Sequence, residues 1–473
     1  MKETAYDYGM IGIGTMGRNL VLNMNDHGYT VAALDKNIDQ VNIFKKEAGT
    51  RSVFATSDLK EFLNAVKTPR AIIMLVPAGK IVDAVIEELK PFLTKDDLLM
   101  DWGNSHFTDT NRRIEQLSAT GIHFMGVGVS GGESGARFGP SIMPGGPQDV
   151  YSRVKEMLAS VSAKVGDEPC ATWLGPGSSG HYVKMVHNGI EYGLMQLLAE
   201  TYHILKALYG MSNDDLHQTF TKWNDGKLHS FLVEITSDIF RQNDELTGQR
   251  LIDFIQDSAH QKGTGGWTSE DAMKLQVPIP VIDIAVSMRD LSAYKADRMN
   301  ASQKLFGPPV MCHIELNKFL LFLEDALYFS MITTYVQGMA LLHFASSAYQ
   351  YQLNLKDIAR IWRGGCIIRA SLLEDIYSAY SKQPDLSNLM LDDQIGKKLN
   401  ESQIGIRKVI ETAVENGIPV SAFMGSIAYY DSFRSGWLPA NLIQAQRDYF
   451  GAHTYERIDR EGPFHTQWNS EQK

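Results

Sequence analysis

Cysteine is scarce in this chain. Three residues among 473, Cys170, Cys312 and Cys366, lie far apart and form no Cys-x-x-Cys pair. That excludes a disulfide framework and a zinc knuckle, and fits a reducing cytosol. Positive charge is also in deficit: 45 Lys and Arg face 55 Asp and Glu, a net charge of -10. A surface of that sign repels nucleic acid and acidic membrane, so neither is expected as a partner. A phosphate ligand must then be held by a local basic cluster. The most apolar long stretch, residues 319–344, still carries Glu324, Asp325 and Gln337, and reads as a buried helix of a soluble protein rather than a membrane span. The polar start runs directly into a strand-like stretch, so no targeting segment is expected and the cytoplasm is the expected location. No fixed-period repeat is visible, which argues against a solenoid.

What is present is a globular balance of 44% hydrophobic and 21% charged residues, in a chain long enough for two or three domains of about 100–200 residues. Residues 8–13, 30–34, 71–76, 98–101 and 123–129 form short apolar runs that read as strands, separated by segments of helical spacing. The alternation predicts an α/β N-terminal domain of Rossmann type over residues 1–178, with a mostly parallel sheet between helical layers. A Gly/Ser/Pro cluster at 174–180 marks its end. Long helical patterns then predict a large all-α domain over 179–437. Residues 438–473 are polar and aromatic with little helical periodicity, and read as a C-terminal tail that packs on a partner subunit.

Gly12-Ile13-Gly14-Thr15-Met16-Gly17 is a GxGxxG between a predicted strand and a predicted helix. In that setting the glycines allow a tight turn and a close approach to a pyrophosphate, which the helix N-terminus attracts. Asp35, at the end of the second strand, stands where a carboxylate accepts the ribose hydroxyls of a dinucleotide. It repels the extra phosphate of NADP and so favours NAD, an effect that Lys36 partly offsets.

Three further segments place polar residues among glycines: Asp101-Trp102-Gly103-Asn104-Ser105, Ser130-Gly131-Gly132-Glu133, and the run from Lys184 to Tyr192. The first two follow predicted strands, at the sheet edge where open α/β folds bind ligands, and Ser130 with the Gly131 and Gly132 amides suits a carboxylate. On a helix, Lys184, Asn188 and Glu191 share one face, beside His187 and Tyr192. A solvated face would show the same stripe, but its place after the interdomain hinge favours catalysis. No acidic or His-rich cluster asks for a metal.

The stretches GVSGGESGARFGPSIMPGG, HYVKMVHNGIEYG, QKGTGGWT, WRGGCIIR and LPANLIQAQRDYFGAHTYE resemble, in order and separation, the signatures of the 6-phosphogluconate dehydrogenases. The resemblance runs from about Tyr8 to Arg457. It implies NADP or NAD as cofactor, 6-phosphogluconate as substrate, ribulose 5-phosphate and carbon dioxide as products, and a homodimer whose tails complete the neighbouring active sites. It also implies that Lys184 is the general base and Glu191 the acid. Asn104, Ser130, Gly131, Gly132, His187 and Asn188 would hold the sugar acid; Tyr192, Lys262, Thr264, Arg289, Arg447 and His453 its phosphate. Gly12, Gly14, Thr15, Met16, Gly17, Asp35, Lys36, Asn37, Val76 and Asn104 would hold the dinucleotide.

The chain departs from the pattern at Asp35-Lys36-Asn37, where many relatives have Asn-Arg-Thr, and at Pro77, where they carry Lys. Both changes remove positive charge near the cofactor. Trp102 and Gly266 replace a commoner Gly and Lys. Two competing readings are another β-hydroxyacid dehydrogenase, which would be shorter and lack the tail, and a nucleotide-binding homologue without turnover, which would lack Lys184 or Glu191.

Overall fold

The structure, a computed structural model, describes residues 5–468. Seven strands form one sheet: β1 (Tyr8–Ile11), β2 (Val31–Leu34), β3 (Val53–Thr56), β4 (Ala71–Met74), β5 (Leu98–Asp101), β6 (His123–Ser130) and β7 (Ser141–Gly145). Their order is β3-β2-β1-β4-β5-β6-β7. The first six are parallel, and β7 runs antiparallel to β6. Helices cover both faces, so β1, β2, β4 and β5 are buried along their whole length and read as continuous apolar runs. The strand order reverses between β1 and β4, which opens a crevice at their carboxyl ends. This is the Rossmann-type α/β domain, and a large helical region follows it.

Two strands were not separated in the sequence. β3 is a half-buried edge of only 4 residues. β7, Ser-Ile-Met-Pro-Gly, has a composition that reads as loop. The first strand also stops at Ile11 rather than at residue 13, because the chain turns at Gly12 with φ +91°.

The helix Ser179–Tyr209 is 31 residues long, and its first turns lie buried across β6 and β7. Against it packs the helix Leu316–Ala348, 33 residues, most of whose apolar surface is buried within the fold. That burial explains why the run looks membrane-like in composition and yet tolerates Gln337, which accepts a hydrogen bond from the Val281 N–H at 3.0 Å.

The chain divides between Ser426 and Ile427 into two compact units. The second contains a helix, Ala440–Gly451, and a small hairpin of Tyr455–Glu456 with Pro463–Phe464. The helix corrects the reading of a tail without helical periodicity. Leu442, Ile443, Tyr449 and Phe450 recur on it at helical spacing and are all exposed.

Candidate active site

The dinucleotide loop follows β1 directly. A Cβ at Gly12 would lie 2.4 Å from the Leu75 carbonyl oxygen, and one at Gly17 2.0 Å from that of Gly12, so only glycine lets these backbones meet. Gly14 caps the helix Thr15–Asp26 with no side-chain hydrogen bond, which leaves its first N–H groups for an anion. Two adjoining cavities meet here. One, of about 570 Å³, is lined by Gly12, Gly14, Asp35, Lys36, Val76, Pro77 and Lys80. The other, of about 620 Å³, is lined by Gly14, Thr15, Met16, Gly17, Val76, Trp102, Asn104, Lys262 and Trp267. A free helix N-terminus between two cavities fits a pyrophosphate with a nucleoside on each side.

Asp35 lines the first cavity and also braces the backbone. Its two oxygens accept the Ile13 and Asn37 N–H groups, each at 2.9 Å, and so tie the glycine loop to the end of β2. Lys36 is paired with Glu88. Asn37 lines neither cavity; its side chain caps the next helix by accepting the Asp39 N–H at 2.9 Å.

Asn104 reaches the second cavity because of a buried network that the sequence did not reveal. Asp101, at the end of β5, accepts the Gly103 N–H at 2.9 Å and the Ser105 hydroxyl at 2.6 Å. Arg113 pairs with it at 3.4 Å, and both side chains are almost fully buried. Arg113 also donates to the Gly79 carbonyl at 3.0 Å. It pairs with Asp83 as well, at 2.8 Å, so removing Arg113 would leave the buried Asp101 carboxylate without a cation, at a cost of about 3–5 kcal/mol.

Lys184 sits where the helix Ser179–Tyr209 crosses the sheet. A Cβ at Gly128 on β6 would lie 2.4 Å from Lys184 Cβ, so the helix rests directly on strand backbone. The polar stripe is therefore not a solvated face: Lys184 is 6% exposed, His187 0% and Asn188 9%. Lys184 Nζ lies 3.4 Å from His187 Nδ1, which is 3.2 Å from Asn188 Oδ1 and 3.8 Å from Glu191 Oε2. Burial pushes the lysine pKa down, against the pull of Glu191. It pushes the Glu191 carboxyl up, against Lys184 and Arg289. It drives His187 well below its usual range, helped by the neighbouring lysine, so the imidazole is neutral. One environment thus favours a neutral amine beside a protonated acid.

Ser130 ends β6, buried, and its hydroxyl accepts the Ile367 N–H at 3.3 Å, joining WRGGCIIR to the site. Gly131 has φ +145°, and a Cβ there would meet the Gly365 carbonyl oxygen at 2.4 Å; at Gly132 that direction is open. Next to Glu191 in the chain, the Tyr192 ring lies 3.4 Å beneath the Arg289 guanidinium, and its edge packs on Gly265. Thr264 is buried at the start of the helix Thr264–Lys274, and Lys262 before it faces the second cavity. Arg447 and His453 belong to the second unit, both exposed.

Sequence reasoning missed Trp267, which lines the second cavity within the quoted QKGTGGWT, and Arg113, whose role depends on contacts distant in the chain. Trp102 is buried among the β5 and β6 side chains with its indole N–H unpartnered. At Gly266 a Cβ would meet open space. Nothing in the structure explains either substitution.

A doubly wound sheet with a dinucleotide crevice, beside a buried lysine and carboxylic acid, defines a nicotinamide-dependent dehydrogenase. The family model described as the NAD binding domain of 6-phosphogluconate dehydrogenase matches residues 7–175, and that of the 6-phosphogluconate dehydrogenase C-terminal domain matches 180–468. The NADP(+)-dependent, decarboxylating 6-phosphogluconate dehydrogenase of Bacillus subtilis is 50% identical over 461 residues, 97% of this chain and 98% of the relative. The decarboxylating enzyme of Synechococcus elongatus is 50% identical over 465 residues, 98% of this chain and 99% of the relative. The 6-phosphogluconate dehydrogenase of Plasmodium falciparum, described in apo form and in complex with its cofactor NADP+ and its substrate 6-phosphogluconate, superposes with a TM-score of 0.94. It is 42% identical and covers 98% of this chain and 100% of its own. The chain belongs to the 6-phosphogluconate dehydrogenase family.

Proposed function

We propose that this protein oxidises 6-phosphogluconate at C3 and decarboxylates it to ribulose 5-phosphate. The observation that carries the reading is the cluster on one helix beside the dinucleotide crevice, where His187 Nδ1 lies 3.4 Å from Lys184 Nζ and 3.8 Å from Glu191 Oε2 and burial moves the lysine pKa down and the glutamate pKa up. Neutral Lys184 takes the C3 hydroxyl proton as the hydride leaves. The bound dinucleotide supplies the hydride acceptor. The resulting 3-keto acid loses carbon dioxide, and Lys184, now an ammonium, stabilises the enolate oxygen. Glu191 then protonates C1. Asn104, Ser130, the Gly131 and Gly132 amides, His187 and Asn188 hold the sugar acid. The buried His187 Nε2 has no partner within the described residues, which supports a hydrogen bond to substrate there. Tyr192, Lys262, Thr264 and Arg289 address the phosphate, concentrating positive charge that an acidic chain otherwise lacks.

The protein works as a cytoplasmic homodimer in which Arg447 and His453 complete the neighbouring subunit's phosphate site. The exposed apolar side chains on the tail helix support a covered face. The names of the relatives favour NADP, whereas Asp35 in the cavity wall and the engagement of Lys36 by Glu88 tilt the chain toward NAD. The test is turnover of 6-phosphogluconate with each dinucleotide, followed by absorbance and released carbon dioxide. Lys184→Met should bind the dinucleotide normally and lose at least about 100-fold in kcat. Near-normal turnover in that variant removes the mechanism.

A further inference from the structure

The second unit contains a buried carboxylate that the chemistry above does not use. Asp448, on the helix Ala440–Gly451, is 0% exposed. Its Oδ1 accepts the Thr454 N–H at 3.0 Å and the His465 ring nitrogen at 2.8 Å. Its Oδ2 accepts the Thr466 N–H at 3.0 Å and the Trp468 indole N–H at 2.9 Å. Burial alone would raise the carboxyl, but these donors outweigh it and hold the pKa down to about 2, so the group is an anion at neutral pH.

The carboxylate holds a backbone that would not otherwise persist. Ala452 and Thr454 both have left-handed conformations, φ +50° and +60°, and neither is glycine. Such residues are uncommon, and a run that alternates them is retained only where its surroundings over-determine it. Asp448 supplies that constraint from both ends: its carbonyl oxygen accepts the Ala452 N–H at 2.9 Å and its carboxylate the Thr454 N–H. Between the two strained residues stands His453. Gln444 extends the brace, donating to the Thr454 carbonyl at 2.6 Å and accepting from Arg447 at 3.0 Å.

We propose that Asp448 is a positioning residue that fixes the left-handed turn carrying His453, and so presents Arg447 and His453 as a preformed cradle for the substrate phosphate. This rests on the reading of Arg447 and His453 as phosphate ligands. Preorganisation of this kind acts on binding of the phosphorylated substrate and leaves the chemical step alone, because the proton-transfer groups lie elsewhere.

The experiment uses the full-length enzyme and compares Asp448→Asn, Ala452→Val, Ala452→Gly, Arg447→Ala and His453→Ala in steady-state kinetics. An asparagine keeps the shape but turns an amide donor toward two of the four N–H groups. Valine leaves Asp448 in place but is β-branched, and so resists the left-handed turn. Glycine accepts the turn. Asp448→Asn and Ala452→Val should each raise KM for 6-phosphogluconate by at least about tenfold, with kcat and the dinucleotide KM within about twofold, while Ala452→Gly stays at wild-type values. Should Asp448→Asn fail to fold, the two Ala452 variants decide. If Arg447→Ala and His453→Ala leave the substrate KM unchanged, the phosphate reading is wrong and the proposal falls with it. If they raise it while Ala452→Val and a folded Asp448→Asn do not, the positioning role alone is overturned.

Discussion

Replacing Gly128 by alanine adds one methyl group and should disable the enzyme. The new Cβ would lie 2.4 Å from Lys184 Cβ, 2.9 Å from the Gly180 carbonyl oxygen and 3.1 Å from Lys184 Cγ. Ordinary carbon contacts fall near 3.5–4.0 Å, so the helix must retreat by about 1.1–1.6 Å at Lys184. Little else at this crossing yields, because a Cβ on Gly180 would already be 2.3 Å from the Met143 carbonyl oxygen: backbone meets backbone along the contact. Overpacking of this size costs about 1–3 kcal/mol, which a protein of this size survives. Chemistry is less tolerant, since a displacement of about 1 Å at a reacting group costs roughly 100-fold. We expect Gly128→Ala to bind the dinucleotide and to melt only a few degrees lower, with kcat reduced about 100-fold. Retreat also lets water reach the amine, so the pKa that burial lowers should move back up, and the limb of the pH profile set by Lys184 should shift to higher pH. The assay is kcat for oxidative decarboxylation across pH, beside a thermal melt. A folded Gly128→Ala enzyme with kcat within about threefold of the wild type would refute the claim that sheet contact sets the lysine's position.

Other expectations follow from the same geometry. Activity needs Lys184 neutral and Glu191 protonated, so kcat should be bell-shaped in pH between the two shifted groups; Glu191→Gln should cost about 10²–10⁴ in kcat and leave a profile with a single limb, and a retained bell would assign the acid elsewhere. Asp35→Asn removes a negative charge from the first cavity and should raise kcat/KM with NADP relative to NAD; an unchanged ratio would confine Asp35 to its Ile13 and Asn37 hydrogen bonds. Glu200 is 4% exposed, and burial raises its pKa from 4.5 to about 7 despite the Ala422 and Phe423 N–H groups that it accepts. Within that window the folded protein keeps a proton that the unfolded chain has lost, so stability falls as pH rises, by roughly 3 kcal/mol across it. Glu200→Gln should flatten that decline in denaturant midpoints between pH 5 and 8, and an unchanged slope would exclude the assignment.

Local chemistry was readable in the sequence, whereas long-range placement was not. The GxGxxG between β1 and its helix, the acidic end of β2 and the Lys184, Asn188, Glu191 spacing are set by neighbours within a few turns, and the motif strings carried their order. β3 and β7 escaped because edge position and glycine content erase the apolar run that marks a central strand. The helix Ala440–Gly451 escaped because its period is carried by only 12 residues set between Pro439 and a polar, aromatic run. The Asp101–Arg113 pair and the Ile367 contact with Ser130 join residues 12 and 237 positions apart, and no periodicity reports such pairs. Asp35, singled out for its place at the end of β2, lines a cavity and also serves the protein's own backbone.

The base and acid proposed above stand on one helix seven residues apart, and each needs the protonation state that water disfavours. In water an amine is protonated and a carboxyl ionised, so Lys184 and Glu191 would each carry the charge that unfits it for its task. Removing water disfavours charge on both, which moves the lysine down and the glutamate up together. Their mutual attraction opposes the change, so the drying must be severe. It is achieved where a glycine strand lets the helix press against the sheet without an intervening side chain. The tight contact at Gly128 and the lowered proton affinity of Lys184 are therefore one device. Loosening the first should return the lysine toward its charged form in proportion to the water admitted.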